Sequence, residues 1–263
     1  MLIILDACRV DALRKVAPEY SFIDTVDKRV SVGSHSREWV AKTFTEKYQD
    51  EVANTTYVSS NLNAKKVLEE KKLPEGRRRD EIPFSFPSYS FLHVDDFDHL
   101  DPVWEYTEHG AGGGFPPNVV TDRAIQLARE RPRGRLIVHY MQPHSPYIAT
   151  DERIKDLNVA GELNRETLWE AYLDNLRYVL DEVDTLLNNV DAENTVITAD
   201  HGEALWENGI FGHNLTNPMP EVKHVPWAET QAIDTNSYEP KKRHRTELTD
   251  EEVEQRLADL GYA

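Results

Sequence analysis

The sequence predicts an α/β fold with a mostly parallel central sheet and helices on both of its faces. Three observations carry that prediction. Short, predominantly apolar runs at residues 2–5, 136–141 and 195–199 read as strands buried on both sides. The segments between them place apolar residues at helical spacing. Strand-like and helix-like stretches alternate, which is how a parallel sheet is joined by crossover helices.

The elements follow in chain order. Residues 2–5 end at Asp6, which puts a carboxylate at the C-terminal end of the first strand. Trp39, Val40, Thr43, Phe44 and Tyr48 predict a helix over 36–48. Residues 56–60 read as a strand, Asn61 as a turn, and residues 64–72 as a short helix that stops before Pro74. From 73 to 117 the pattern degrades into a basic run (Arg77-Arg78-Arg79), an acidic one (Asp95 to Asp101), many aromatics and Gly112-Gly113-Gly114. A structureless loop of that length is uncommon, so short strands and a mobile excursion over the site are expected there. The glycine run is no phosphate loop, since no Lys-Ser/Thr follows it. Asn118 is the expected cap of a helix to Arg131. Leu168, Tyr172, Leu176, Val179, Val183 and Leu187 mark a long amphipathic helix over 165–188. Residues 195–199 lead into Asp200-His201-Gly202. Thr249 with Glu252 three residues on predicts a capping box and a helix over 249–260. No repeat and no separating linker is visible, so one domain over residues 1–263 is expected.

Composition narrows the function. The 263 residues carry 47 acidic and 30 basic side chains, a net charge of −17. Such an excess argues against nucleic acid or an anionic membrane as partner. Five Trp, eight Phe and eleven Tyr rule out wholesale disorder. No run approaches the length of a membrane span, and the N-terminus has no basic region or cleavage site, so a cytoplasmic location is expected. The acid is dispersed and lysines are the minority among basic residues, as a halophilic, high-salt cytoplasm favours. One cysteine, Cys8, excludes a disulfide framework and a thiolate cluster. Ten histidines remain as the chemical resource.

Polar residues gather at the C-terminal ends of the three best strands: Asp6, then His139 and His144, then Asp200 and His201. Open α/β sheets bind ligands there. Asp6, Asp200 and His201 form a donor set for a divalent metal. Asp6 alone would serve equally as a turn cap. Two adjacent ionisable groups after a buried strand are costly unless partnered, which favours the metal for Asp200-His201.

Leu5-Asp6-Ala7-Cys8-Arg9-Val10-Asp11, Thr198-Ala199-Asp200-His201-Gly202-Glu203-Ala204 and Gly212-His213 together resemble the alkaline phosphatase superfamily. The branch they are most similar to is the sulfatase-like one, which includes phosphoglycerol-transferase-type enzymes. Residues 138–147, with His144-Ser145-Pro146-Tyr147, are similar to that branch's strand-plus-His-x-Pro-Tyr element. The resemblance implies a phosphate- or sulfate-ester site with one divalent metal (Mn²⁺, Mg²⁺, Ca²⁺ or Zn²⁺) held by Asp6, Ser36, Asp200 and His201. It implies a nucleophile at a helix N-terminus some thirty residues after the first Asp. Ser36 fits, with Ser34 as runner-up; a helix N-terminus stabilises both the alkoxide and a bound oxyanion. Ser36 acting only as an N-cap is the structural alternative. His213 and His144 are implied as contacts to substrate oxygens or the leaving group from opposite walls. His139 reads as a satisfied core histidine, and His224 as a weaker candidate. His35 and Arg37 flank the nucleophile. Arg9 and Asp11 read as a buried pair supporting the site.

Departures shape the reading. There is no Cys/Ser-x-Pro-x-Arg pentapeptide, so the aldehyde chemistry of ordinary sulfatases is not expected. No second Asp-x-x-x-His block is evident, hence the expectation of one metal. The substrate implied is a small anionic ester, or a glycan or lipid head group. A catalytically inactive domain that only binds such a group is the alternative, and a fold whose metal is only a structural staple is another.

Overall fold

The computed structural model describes residues 1–71, 90–106, 115–131, 134–149, 164–246, 248–249, 251–253 and 255. In chain order the elements are β1 (Leu2–Leu5), α1 (Val10–Val16), β2 (Asp27–Val30), α2 (Ser36–Thr43), α3 (Gln49–Val52), β3 (Thr55–Ser59), α4 (Asn63–Leu68) and β4 (His99–Pro102). They continue with α5 (Pro117–Glu130), β5 (Arg135–Tyr140), α6 (Arg165–Leu187), β6 (Ala192–Thr198), β7 (Ala204–Glu207), β8 (Ile210–Gly212), α7 (Pro220–Lys223) and β9 (His224–Ala232).

Seven strands form one sheet in the order β2-β9-β6-β1-β5-β3-β4. The pairs β6–β1, β1–β5, β5–β3 and β3–β4 are parallel. β9 runs antiparallel to both its neighbours and is the one reversed strand. β1 lies at the centre, and its side chains divide between the faces. Ile3 and Leu5 join a core built from α1, α5 and α6; Ile4 joins a second core with Trp39, Val40, Tyr57, Val67, Leu68 and Trp104. Helices therefore cover both faces, as expected, and a strand buried twice over must be apolar along its length.

Several elements differ from the sequence expectation, each for a local reason. The helix predicted over 36–48 ends at Thr43, because the Phe44 carbonyl accepts from Leu92 N at 2.9 Å and Thr45 bridges to Phe91. A returning segment captures the backbone that would have continued the helix. Asn118 does not cap α5: Pro117 occupies the first turn, where its missing N–H costs nothing, and Pro116 precedes it. The excursion contributes a short strand, β4, at the edge of the sheet; Arg77-Arg78-Arg79 and Gly112-Gly113-Gly114 lie outside the described residues. Asn164 caps α6 by accepting from Thr167 N at 2.9 Å. The Thr249–Glu252 capping box forms in both directions, at 2.8 and 3.3 Å; the predicted end of that helix lies outside the described residues. No described helix is long and apolar enough to cross a membrane.

Candidate active site

The parallel strands β1, β5, β6 and β3 all point their C-terminal ends to one edge of the sheet, and the polar residues collect there. Asp6 follows β1, Asp200 follows β6 by one residue, and Asn61 follows β3. Asp6 and Asp200 are fully buried. The backbone turns immediately after Asp6 through Ala7, whose φ of 59° is unusual for a residue with a side chain. That turn aims Ala7 N at Asp200 Oδ1, 3.2 Å away, and locks the ends of β1 and β6 together. His201 N donates to the same oxygen at 2.9 Å. Ser31 Oγ donates to the Asp200 carbonyl, which fixes the loop leading into α2.

Ser36 opens α2 and is fully buried. Its Oγ lies 3.2 Å from His201 Nε2 and 3.4 Å from Asp6 Oδ2. His201 Nε2 in turn lies 3.5 Å from Asp6 Oδ1 and 3.4 Å from Asp200 Oδ2. Its Nδ1 faces the Gly202 carbonyl at 2.8 Å, which fixes the ring. The ligating atoms of Asp6, Asp200 and His201 all lie within 4.8 Å of one another. The fold thus brings together the four residues named for the metal. The N-cap of α2 is His35 rather than Ser36: its Nδ1 accepts from Arg37 N at 3.1 Å. Ser34 faces elsewhere. Its single hydroxyl proton lies between two acceptors, Glu38 Oε2 and the Asn214 carbonyl, and its oxygen accepts from Asn217 N, stapling the loop before α2 to the segment after β8.

His144 and His213 meet on the other side with Glu203, and their ligating atoms also fall within 4.8 Å. His213 Nδ1 is 3.0 Å from Glu203 Oε2. The His213 ring stacks on His201 at 4.3 Å between centroids and meets His144 edge-on at 4.9 Å, so it joins the two groups. Asn175, buried on α6, donates to the carbonyls of Pro143, His144 and Pro146 and holds the loop that carries His144. Arg9 is buried and pairs with Asp11 at 2.7 Å and Glu207 at 2.8 Å, while Asp11 stays half-exposed. Arg9 also donates to the Glu203 carbonyl at 3.1 Å, so it braces the backbone of the site.

Two site residues escaped the sequence reading. His139 is not a satisfied core histidine. Its Nδ1 shares a hydrogen bond with Tyr57 at 2.8 Å, while Nε2 faces Asp200 Oδ2 at 3.7 Å and Asp6 Oδ2 at 4.0 Å. Asn61 donates from Nδ2 to Asp6 Oδ2 at 2.6 Å and orients that carboxylate. A histidine in the middle of a doubly buried strand was the available signal, since an imidazole there needs a polar partner.

Burial sets the protonation of the cluster. It pushes the imidazoles of His139, His144 and His213 down to about 4 and those of His35 and His201 below the ordinary value. Neutral rings keep the lone pairs that metal ligation requires. Burial raises Glu203 to about 7. At Asp200 burial also acts upward, but His201 and His139 outweigh it and hold the carboxyl below its ordinary value. His139 Nε2 and Asp200 Oδ2 are buried and make no hydrogen bond. Buried polar atoms left in that condition ask for a partner. With two carboxylates, an imidazole and a hydroxyl converging on the same space, the donor set fits a divalent cation.

Comparison with solved structures bears on the fold. The integral membrane lipooligosaccharide phosphoethanolamine transferase A of Neisseria meningitidis superposes with a TM-score of 0.61 at 14% identity, covering 90% of this chain and 48% of that one. The zinc complex of the C-terminal periplasmic domain of EcEptC from Escherichia coli gives 0.56 at 13% identity, covering 92% and 74%. The protein BT4656, in complex with its substrate D-glucosamine-2-N,6-O-disulfate, gives 0.51 at 12% identity, covering 88% and 70%. This chain therefore spans about half the length of the first and roughly seven-tenths of the other two. No protein-family model and no curated protein matches it by sequence. The seven-stranded, mostly parallel α/β architecture with its polar edge is the fold that these structures share with this chain.

Proposed function

We propose that this chain is a metal-dependent transferase or hydrolase that acts on a phosphate or sulfate ester through Ser36, with phosphate the better fit. The observation that carries the proposal is the position of Ser36 Oγ, 3.2 Å from His201 Nε2 and 3.4 Å from Asp6 Oδ2, on the first residue of α2. A hydroxyl there faces both the positive end of a helix and the metal donors. Asp6, Ser36, Asp200 and His201 would hold the cation, with His139 beside them. When bound, the cation supplies positive charge that lowers the pKa of a ligated hydroxyl and neutralises an ester oxyanion.

The residues divide the remaining work. Ser36 Oγ forms the bond to phosphorus as the ester P–O bond opposite it breaks; the Ser36 proton passes to solvent water, and the departing oxygen leaves with a proton taken from solvent. His213, held by Glu203 and stacked on His201, faces the ester with a hydrogen bond for the departing oxygen; His144 does the same from its own loop. Water or an acceptor hydroxyl then takes the phosphoryl group from Ser36 and regenerates the hydroxyl. An unmodified serine suits phosphoryl transfer better than the aldehyde route of sulfatases. The transferases that share the fold support an acceptor other than water, and the sulfated sugar bound by BT4656 supports an anionic glycan or lipid head group as substrate.

The test compares turnover of p-nitrophenyl phosphate, bis-p-nitrophenyl phosphate and p-nitrophenyl sulfate with Mn²⁺ or Zn²⁺ present. Loss of at least about a thousandfold in Ser36→Ala, with Ser34→Ala close to wild type, is the expected pattern. Activity that survives in Ser36→Ala overturns the nucleophile. Tight binding of the esters with no turnover in the wild type favours the inactive, binding-only domain.

A further inference from the structure

The β7–β8 hairpin runs from Glu203 to His213, so both of its ends belong to the site. Its strands are three to four residues long, which puts the tip roughly 10 Å from those ends. Flanking the Asn208-Gly209 turn is an open apolar patch. Trp206 is 50% exposed, Phe211 46% and Ile210 39%, and the two rings lie 5.5 Å apart. Leu205 pairs with Phe211 and Glu207 with Ile210, which leaves Trp206 as the extra residue of a β-bulge. Its φ is 69°, a conformation that a bulky residue rarely adopts. Bulges beside active sites re-aim side chains, and this one turns an indole out of the ladder. Backbone cost retained at such a point signals use.

The charges around the tip are already matched. Glu207, the one carboxylate between the hairpin's two ends, pairs with Arg9 at 2.8 Å and Arg165 at 3.0 Å. The exposed patch therefore presents indole, phenyl and aliphatic surface without an unmatched acid. We propose that this hairpin docks on a zwitterionic lipid surface, seating Trp206, Phe211 and Ile210 at the acyl boundary and presenting the site to a head-group ester. The inference rests on the ester-processing reading for what the docking serves, not for the docking itself.

Size decides the occupant. Three half-exposed side chains offer roughly 300 Å² of apolar surface, against about 800 Å² per partner in a stable protein interface. A second copy of the chain is therefore poorly served by the patch. A lipid interface needs only a few aromatic and aliphatic anchors, with the indole at head-group level. The net charge of −17 keeps the protein from anionic surfaces and selects a zwitterionic one.

The experiment uses phosphatidylcholine vesicles, with and without brominated acyl chains, and three variants: Trp206→Phe, Trp206→Ser, and the double change Trp206→Ser with Phe211→Ser. Wild type should co-sediment with vesicles, and its tryptophan emission should be quenched by the brominated chains. Trp206→Phe should bind but lose the quenching. Both serine variants should lose about tenfold or more in partition while keeping p-nitrophenyl phosphate turnover within about twofold of wild type. That retained turnover also reports that they fold; where the double variant fails to fold, Trp206→Ser alone carries the comparison. Absence of wild-type binding, or undiminished binding by the serine variants, overturns the proposal. A wild-type dimer that the serine variants dissolve also overturns it and makes the patch a self-association face. Hairpin-dependent vesicle binding without turnover of any ester leaves the docking standing and removes the catalytic reading.

Discussion

Replacing Asp200 with asparagine separates the demands of the metal from those of the fold. The ligating atoms of Asp6 and Asp200 lie within 4.8 Å, both carboxylates buried. Two unit charges at that distance repel by about 3.5 kcal/mol at an effective dielectric of about 20. An asparagine removes one charge and keeps Oδ1 as acceptor for Ala7 N and His201 N. Its amide takes the place of Oδ2, the oxygen that makes no hydrogen bond and has His139 Nε2 at 3.7 Å. The fold nonetheless holds the Asp200 carboxyl below its ordinary value, which makes its charge net favourable there, so in chelator the variant should be less stable than wild type by about 1–2 kcal/mol, a fall in Tm of a few degrees. With Mn²⁺ or Zn²⁺ at a hundred times its Kd, wild type should gain about 2.7 kcal/mol and the variant far less, so the gap widens. Thermal unfolding by circular dichroism, in chelator and across a metal titration, reads both effects. A variant more stable than wild type in chelator, or an equal metal-induced rise in both proteins, refutes the reasoning.

Three further outcomes are expected. Gly202→Ala should destabilise by about 3 kcal/mol in urea unfolding, because an added Cβ would sit 2.1 Å from the Glu221 carbonyl oxygen; an unchanged midpoint contradicts this. Arg123→Gln breaks a buried pair with Asp101 (2.8 Å) and should cost about 3–5 kcal/mol at neutral pH. Burial pushes the Asp101 carboxyl up, but His99 and Arg123 beside it outweigh burial and hold it below its ordinary value. A depressed acid stabilises the fold above its unfolded pKa and loses that contribution as pH falls through the folded one, so the penalty of Arg123→Gln should shrink below about pH 4; an equal penalty at pH 7 and pH 3.5 contradicts the assignment. Finally, with a net charge of −17 to screen, the unfolding midpoint should climb steadily from low salt to molar KCl, and a flat or falling midpoint removes the high-salt reading.

The legible part of the molecule is the part where burial leaves a strong mark. Asp6 and Asp200-His201 stand out because each follows an apolar run that must lie inside the sheet. A charge at that point is expensive enough to need a reason. His139 sits in the same kind of run, yet a strand buried on both faces has no polar alternation to show which side a residue takes, so its turn toward the carboxylates was invisible. Asn61 is a polar residue at a turn, indistinguishable in sequence from many others. Its role appears only when β3 and β1 are placed two strands apart. β9 holds Pro226 and several polar residues, and β2 is Asp27–Val30, exposed throughout. Neither carries an apolar period, and Pro226 argues against a strand. Their antiparallel pairing supplies what local sequence does not.

The central position of β1 also governs when the site can exist during synthesis. Its two sheet neighbours are β5 and β6, and the hydrogen bond that locks Asp6's turn to Asp200 spans 193 residues. Contacts of such long range form late, after the chain has met the entropy of closing a very large loop. A ribosome-bound chain that has released Asp6 and Ser36 but not yet Asp200 and His201 holds only half a set of donors. Such a chain has no preformed pocket in which to sequester a divalent ion. A cation held by these four donors would therefore be bound only after residues 200 and 201 have joined residues 6 and 36 in the fold.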